Sequence, residues 1–211
     1  MNAEVRPCFA VDIDNVLGRA EPEVQRLFRE VTGMVWPVGT YGSAGGLDAS
    51  TVDRVLIEEI FSRFHEEAIP RLPLLPAAKY ALRVLHRTCR IIIVTARRPY
   101  SRPQTLRWLS RHGLPFDALY HTEEKTEIPE SITLAIDDHP DHLQSYQAVG
   151  ARVFVMDQPW NRHVVDTKLI RVTGWDGLLQ WWHFRTLGAW PGPMQETPAP
   201  AHLWKRLPIS A

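Results

Sequence analysis

The chain has few cysteines, and they form no pattern typical of a metal site or a disulfide framework. Cys8 and Cys89 are the only two among 211 residues. Neither belongs to a CxxC pair or to a His/Cys spacing that suggests zinc. Both fall in or beside predicted strands, so we expect buried free thiols in a reducing compartment.

Charge of either sign is not in excess. Lys and Arg together number 24, as do Asp and Glu, which gives a formal net charge of zero at pH 7. A protein that holds nucleic acid by bulk electrostatics normally carries a basic face. The composition therefore argues against bulk nucleic-acid binding.

Long hydrophobic runs are also missing. No apolar stretch reaches the ~18 residues that a membrane-spanning helix needs, and no signal-peptide pattern opens the chain. We therefore expect a soluble, cytoplasmic protein with no membrane partner.

The chain does contain an alternation of short apolar segments with amphipathic ones. Its length suits one globular domain, or one domain with an insertion. The apolar segments predict six strands, and the amphipathic ones predict helices between them. The repeated β-α-β spacing predicts an α/β fold, a Rossmann-like parallel sheet flanked by helices. The predicted strands cover 9–11, 90–94, 116–120, 132–136, 152–155 and 169–172.

Residues 18–73 do not follow this alternation of strands and helices. They are more helical and lie between the first strand and the next crossover, so we interpret them as a small helical cap inserted into a core of residues 1–17 and 74–188. The main cap helix is predicted over 48–68, with Asp48 or Ser50 as its N-cap. Residues 189–211 are rich in proline with little periodicity, which predicts an extended tail.

Two acids, Asp12 and Asp14, stand where the first apolar strand ends. Open α/β sheets bind ligands outside the carboxyl ends of their strands, and this pair stands at such an end. Asp-x-Asp also occurs in ordinary strand-to-loop turns. The pair alone therefore does not distinguish a site from a turn.

Polar groups also follow three other predicted strands: Thr95, Lys125, and the pair Asp137 and Asp138. Each has an ordinary alternative, as a turn hydroxyl, a solvated loop charge and a helix cap respectively. Because the carboxyl ends of parallel strands share one edge, we expect all of them to converge with the first acid pair. Their joint occurrence favours a site.

The set suits phosphoryl transfer. Clustered carboxylates repel one another and call for a hard divalent cation, for which magnesium is the natural choice. One carboxylate can attack phosphorus to form an acyl phosphate, and a second can protonate the leaving oxygen and activate water. Thr95 offers a hydroxyl to a phosphate oxygen, and Lys125 supplies positive charge.

In this order, residues 12–16 (Asp-Ile-Asp-Asn-Val), Thr95, Lys125 and residues 136–138 (Ile-Asp-Asp) resemble the four motifs of the haloacid dehalogenase (HAD) superfamily of phosphatases. The resemblance spans about residues 6–185. The small cap, the aspartate pair and the sequence Pro-Trp-Asn at 159–161 are similar to the 5′(3′)-deoxyribonucleotidase branch. Asn15 stands where many members have Gly, and both residues tolerate unusual backbone angles.

The resemblance implies roles for the motif residues. Asp12 would be the nucleophile and a metal ligand, and Asp14 the general acid/base whose backbone carbonyl also binds Mg²⁺. Thr95 and Ala96 would contact phosphate, while Lys125 orders the charges. Asp137 and Asp138 would complete the metal shell, with Asp141 a further candidate; the spacing leaves open which of these acids touches the ion.

The substrate pocket is expected between core and cap. Trp36 and Tyr41 would stack against or envelop a base or sugar, with simple packing of the cap as the alternative for Trp36. Arg97 would meet a phosphate or lie in solvent. Trp160 and Asn161 are expected to line the edge of the site.

The leading hypothesis is a magnesium-dependent phosphomonoesterase that hydrolyses a nucleotide, of the 5′- or 3′-deoxyribonucleotide kind, or a similar small phosphate ester. A second hypothesis keeps the mechanism but takes a sugar phosphate or a nucleic-acid 3′-phosphate. A third is a catalytically weak HAD-fold module that binds a protein partner; the presence of both Asp12 and Asp14 argues against it. The sequence leaves the oligomeric state open, a homodimer included.

Overall fold

Six parallel strands form one sheet in the order β3-β2-β1-β4-β5-β6. The computed structural model describes residues 6–36 and 53–187. The six predicted strands and the Rossmann-like α/β architecture are confirmed. The strands are β1 (Cys8–Val11), β2 (Arg90–Thr95), β3 (Ala118–His121), β4 (Ile132–Asp137), β5 (Arg152–Met156) and β6 (Ile170–Val172).

The strand β1 lies at the centre of the sheet, between β2 and β4. Val11 is level with Ile93 on one side and with Ile136 on the other. The chain order changes direction across β1, and such switch points form the crevice in which α/β sheets bind ligands. The residues directly after β1 therefore enter that crevice.

The structure has six α-helices among the described residues, and the first two belong to the inserted segment. They are α1 (Glu21–Thr32), α2 (Arg54–Arg63), α3 (Ala78–Leu85), α4 (Arg102–His112), α5 (Pro140–Ala148) and α6 (Trp175–Leu187). The sheet and the helices before α6 belong to one compact unit that ends at Leu179, inside α6. The division into cap and core stays a prediction, and the tail at 189–211 lies outside the described residues.

The main helix of the inserted segment differs from its prediction. Asp53 is its N-cap, because the Asp53 side chain accepts a hydrogen bond from the Val55 amide and the α-helix begins at Arg54. The N-cap prediction of Asp48 or Ser50 is therefore wrong; both residues lie outside the described part. After Arg63 the helix widens into one π turn (Phe64–Ala68) and then a 3₁₀ turn (Ile69–Arg71).

The core is continuous through the sheet, whose central strands are buried on both faces. Cys8 and Cys89 are free and buried, as predicted. Burial raises the pKa of the Cys8 thiol to about 11, so it stays protonated near neutral pH. Within residues 6–36 and 53–187, no helix combines the length and apolar character needed to cross a membrane.

Candidate active site

Polar side chains from four strand ends converge at the carboxyl edge of the sheet. Asp12 follows β1, Thr95 ends β2, Lys125 follows β3, and Asp137 and Asp138 stand at the end of β4. All five are buried. They line a cleft of about 260 Å³ whose opposite wall comes from Phe61, Phe64 and His65 of the inserted segment.

Lys125 lies at the centre of this cluster. Its ammonium donates to Asp12 Oδ1 and to Asp137 Oδ2, each at 2.6 Å. A buried charge is tolerated only when it is paired, and here one cation neutralises one of two carboxylates. Lys125 therefore joins the strands β1 and β4 across the floor of the cleft.

The pKa values of the three acids reflect first their burial and then the excess of negative charge around them. Burial raises the pKa of Asp12 to about 6, opposed by Lys125 and reinforced by Asp137. Burial, Asp12 and Asp137 likewise raise the pKa of Asp138 well above its ordinary value. Against burial, the Lys125 ammonium and His142 hold the pKa of Asp137 below its ordinary value. A divalent cation beside Asp12 and Asp138 would relieve the repulsion.

The three carboxylates differ in how many of their oxygen atoms accept a hydrogen bond from the described residues. Both oxygens of Asp137 are occupied, since Oδ2 accepts from Lys125 and Oδ1 accepts from the amides of Asp138 and His139. Asp12 Oδ2 and Asp138 Oδ1 accept no hydrogen bond from the described residues. The three acids can place one oxygen each within 4.8 Å of one another. The donor set fits a hard cation held by Asp12 and Asp138.

Asp141, the further candidate, does not join this group. Its side chain is 71% exposed and lies 3.9 Å from His139. The His139 ring instead accepts the Asp141 amide as the N-cap of α5.

The backbone turns sharply at Asn15, between the end of β1 and the start of the inserted segment. Asn15 has a φ of 60°, in the left-handed region, and its amide donates to the Gly18 carbonyl at 2.6 Å. Asn is among the few residues that adopt this conformation at low cost. The Asn15 side chain then accepts the amides of Ala20 and Glu21 at the start of α1. This turn brings the Asp14 side chain back over the cleft.

Thr95 and Ala96 line the cleft at the end of β2. The buried Thr95 hydroxyl accepts the Arg97 amide at 3.3 Å, which folds the loop after β2. Ala96 is exposed to the cleft, and its N–H makes no hydrogen bond within the described part of the chain. An open amide beside a hydroxyl is a suitable pair of donors for phosphate oxygens.

Three of the predicted substrate contacts, Trp36, Trp160 and Asn161, are not among the side chains that line the cleft. Trp160 Nε1 donates to Asp138 Oδ2 at 3.1 Å, and Asn161 Nδ2 donates to the Asp138 carbonyl at 2.9 Å. Both side chains are buried and support Asp138. Trp36 is buried with its ring edge-on to Phe28, which agrees with cap packing, the alternative for this residue. Tyr41 lies outside the described residues.

Arg97 also differs from its prediction. Its guanidinium is buried and forms two bonds to the Asp14 carboxylate, at 2.8 and 2.7 Å. The alternative of a solvent-exposed side chain is therefore wrong, whereas Arg97 does line the cleft and its contact with a phosphate stays a prediction.

Sequence reasoning missed the wall opposite the acids. Phe61, Phe64 and His65 face the cleft from the end of α2 and the π turn. They stand at positions i, i+3 and i+4, which is the spacing of an ordinary buried helix face. π turns are frequent at functional sites, but no local residue pattern announces them.

The Rossmann-like sheet, with this acid cluster at its carboxyl edge, has the arrangement expected for the haloacid dehalogenase (HAD) superfamily. Residues 57–182 match the model of a family described as 5′ nucleotidase, deoxy (pyrimidine), cytosolic type C protein (NT5C). The chain belongs to this family. The predicted membership of the nucleotidase branch of the HAD superfamily is thereby confirmed.

Individual relatives agree with this assignment. A protein of Bacillus subtilis (strain 168) named as a nucleotidase, YqfW, is 27% identical over 110 residues, which cover 49% of this chain and 56% of that protein. A protein of Chlorobaculum tepidum named as a 5′(3′)-deoxyribonucleotidase is 26% identical over 163 residues, covering 74% of this chain and 73% of the relative. The chain thus spans little more than half the length of the first of these two.

The fold also resembles solved structures. The crystal structure of a Bacillus subtilis protein named as a HAD-hydrolase, YfnB, bound to magnesium, has a TM-score of 0.56 and 13% sequence identity. The likeness covers 87% of this chain and 100% of that one. At this level of identity it shows the shared fold.

Proposed function

We propose that the protein is a magnesium-dependent phosphomonoesterase that hydrolyses nucleoside monophosphates through an aspartyl-phosphate on Asp12. The observation that carries the proposal is the Lys125 ammonium, buried 2.6 Å from both Asp12 and Asp137 beside an unpaired Asp138 oxygen. An ordinary structural ion pair would not leave two further buried carboxylate oxygens open on the same cleft.

The first half of the reaction uses Asp12 as the nucleophile. An Asp12 oxygen attacks phosphorus, and the bond from phosphorus to the ester oxygen breaks. Asp14, two residues along and half-buried in the lining of the cleft, donates a proton to that leaving oxygen. Lys125 keeps Asp12 ionised and oriented, while Thr95 and the Ala96 amide bind the non-bridging oxygens.

The second half regenerates the enzyme. Asp14 takes a proton from water, the water oxygen attacks the phosphorus of the aspartyl-phosphate, and inorganic phosphate leaves with Asp12 restored. Mg²⁺ would be held by the Asp12 and Asp138 carboxylates together with the Asp14 carbonyl, and it would neutralise phosphate charge. The magnesium in the YfnB structure supports this choice of ion.

Three observations support a nucleotide as the substrate. The family description and the name of the Chlorobaculum tepidum relative both refer to deoxyribonucleotides. The wall that faces the acids is aromatic, with Phe61 and Phe64, and suits a planar base or a sugar face. The cytoplasmic location and the homodimer stay predictions.

A phosphate-release screen tests the proposal. The purified chain is incubated with 5′- and 3′-deoxyribonucleoside and ribonucleoside monophosphates and with sugar phosphates, in Mg²⁺ or in EDTA. We expect release from at least one deoxyribonucleoside monophosphate, only with the metal. Faster release from a sugar phosphate would overturn the substrate class, and equal release in EDTA would overturn the metal requirement.

A further inference from the structure

Arg97 makes a paired contact with Asp14 that the mechanism above does not require. Arg97 Nε donates to Asp14 Oδ2 at 2.8 Å, and Nη2 donates to Oδ1 at 2.7 Å. Such a two-bond contact fixes both the position and the plane of a carboxylate. Among the described residues, no other side chain hydrogen-bonds the Asp14 carboxylate.

Arg97 is itself held rigidly from behind. Its third nitrogen, Nη1, donates to the Thr105 hydroxyl at 3.2 Å. The guanidinium carbon lies 5.8 Å from the centroid of the buried Trp108 ring, within range of a cation–π contact. Thr105 and Trp108 both belong to α4 and are buried, so the orientation of Asp14 depends on the position of that helix.

Burial makes this arrangement costly unless it has a use. The Arg97 side chain is 1% exposed and that of Asp14 is 18% exposed. An acid that only needed solvation could point into the open cleft, with no buried cation behind it. The contact instead restricts a side chain that lies on a sharp turn and would otherwise rotate freely.

We infer that Arg97 is a positioning residue, which aims the Asp14 carboxylate at the leaving oxygen of the substrate. The inference rests on the proposed function, because it assumes that Asp14 transfers a proton during phosphate-ester cleavage. It assigns Arg97 no contact with substrate or metal. Its guanidinium acts through the orientation of Asp14.

The leaving group of the substrate separates this role from a merely structural one. When the bond from phosphorus to the ester oxygen breaks, the nucleoside of a nucleoside monophosphate departs as an alkoxide and needs the proton from Asp14. The p-nitrophenol of p-nitrophenyl phosphate departs as a stable phenolate and needs that proton little. Loss of Asp14 orientation should therefore slow the first substrate selectively. General damage to the cleft would slow both substrates alike.

The test compares kcat for the two substrates in Arg97→Met and Arg97→Lys. For Arg97→Met we expect kcat on the nucleoside monophosphate to fall about 100-fold and kcat on p-nitrophenyl phosphate less than about fivefold, with KM changed little. Arg97→Lys keeps the positive charge but cannot form the two parallel hydrogen bonds to Asp14. It should show the same selectivity, with a smaller, roughly tenfold, fall in kcat on the nucleotide.

A matched control is Arg90→Met at the opposite end of β2. Arg90 also forms a two-bond contact with a carboxylate, that of Glu130, far from the cleft edge of the sheet. The Arg90→Met variant should leave kcat unchanged for both the nucleoside monophosphate and p-nitrophenyl phosphate. Because Arg97→Met creates an unpaired acid, urea unfolding checks its fold; if it is unfolded, Arg97→Lys alone decides the outcome.

A double variant gives a second readout. If Arg97 acts through Asp14, then Arg97→Met should slow Asp14→Asn no further on the nucleotide. Equal losses on the two substrates, or multiplied losses in the double variant, would overturn the inference while leaving the phosphatase proposal in place. A wild-type protein that hydrolyses neither substrate would instead overturn the proposed function, and this inference with it.

Discussion

Lys125 and Asp137, 12 residues apart in sequence, meet beneath the cleft with 2.6 Å between the ammonium nitrogen and Oδ2. Asp137 Oδ1 is meanwhile bound by two backbone amides of the turn into α5. This residue is therefore an anchor for the lysine, which in turn holds Asp12. The open oxygens that suit a metal belong to its neighbours.

Replacing Lys125 by methionine should destabilise the protein strongly at pH 7.5. Two buried carboxylates would lose their cation, a change that typically costs about 3–5 kcal/mol. The loss should shrink towards pH 5, because the pKa of Asp137, held low by Lys125 against burial, rises in the variant and lets the acid protonate. Urea unfolding measures the difference. Lys168→Met, at an exposed lysine, is the control and should stay within about 0.5 kcal/mol of wild type.

Replacing Asp12 by asparagine should abolish turnover and leave the fold intact. The amide cannot attack phosphorus, so we expect a loss of at least about 1000-fold in kcat. Removing one of three crowded acids should also raise stability slightly, because it removes repulsion with Asp138. Phosphate release and thermal unfolding check both points, with Asp166→Asn as a surface control. Activity like that of wild type would contradict the mechanism.

Replacing Trp160 by phenylalanine should weaken magnesium binding. The ring would keep its packing but lose the hydrogen bond to Asp138 Oδ2. Loss of such a supporting contact typically lowers metal affinity about 10-fold or more. Calorimetric titration with MgCl₂ measures the affinity. Trp175→Phe removes another buried indole hydrogen bond, to the Val16 carbonyl, and should lower stability with unchanged magnesium affinity.

The stability of the protein should depend on His65 below neutral pH. Burial lowers the pKa of His65 from 6.5 to about 4, so the unfolded chain takes up a proton in this range before the folded one does. The contribution of the neutral His65 ring to the free energy of unfolding is fully present above pH 6.5. It is lost as the pH falls from 6.5 to about 4. The neutral ring accepts the Arg98 amide through Nε2 and contacts the Tyr100 hydroxyl through Nδ1.

The comparison with His65→Gln isolates this effect, since glutamine stays neutral throughout. Relative to that variant, the wild type should lose about 2–3 kcal/mol of its unfolding free energy between pH 7 and pH 4. Urea unfolding at several pH values gives the difference curve. A flat difference would show that His65 protonates freely in the folded state.

The strands and their polar ends could be predicted because their signals are local. A buried parallel strand is a short apolar run, such as residues 91–94, and it needs no knowledge of distant residues. The convergence of Asp12, Thr95 and Lys125 follows from a general property of parallel sheets. The presence of Asn15, where many HAD members have Gly, also fits the structure. Asn and Gly are among the few residues that tolerate the left-handed backbone conformation found there.

Side-chain partners could not be predicted in this way. Trp160 and Asn161 follow β5 near the correct edge of the sheet, but their direction depends on a 3₁₀ turn (Pro159–Asn161) packed against Asp138. Arg97 follows Thr95 by two residues, yet its partner Asp14 lies 83 residues away. Its orientation also depends on the placement of α4.

The sequence by itself determined the α/β class, the order of the strands' polar ends and the chemistry available at the edge of the sheet. Residue type and period suffice for these, because apolar burial and backbone geometry act over a few residues. Only the tertiary structure decided that Asp138 keeps one carboxylate oxygen without a hydrogen bond from the described residues, while Asp137 anchors Lys125. It alone also directed Arg97 to Asp14 and placed His65 on the opposite wall. These are choices between nearly equivalent polar partners, and they depend on distances of a few ångströms that packing sets across the whole fold.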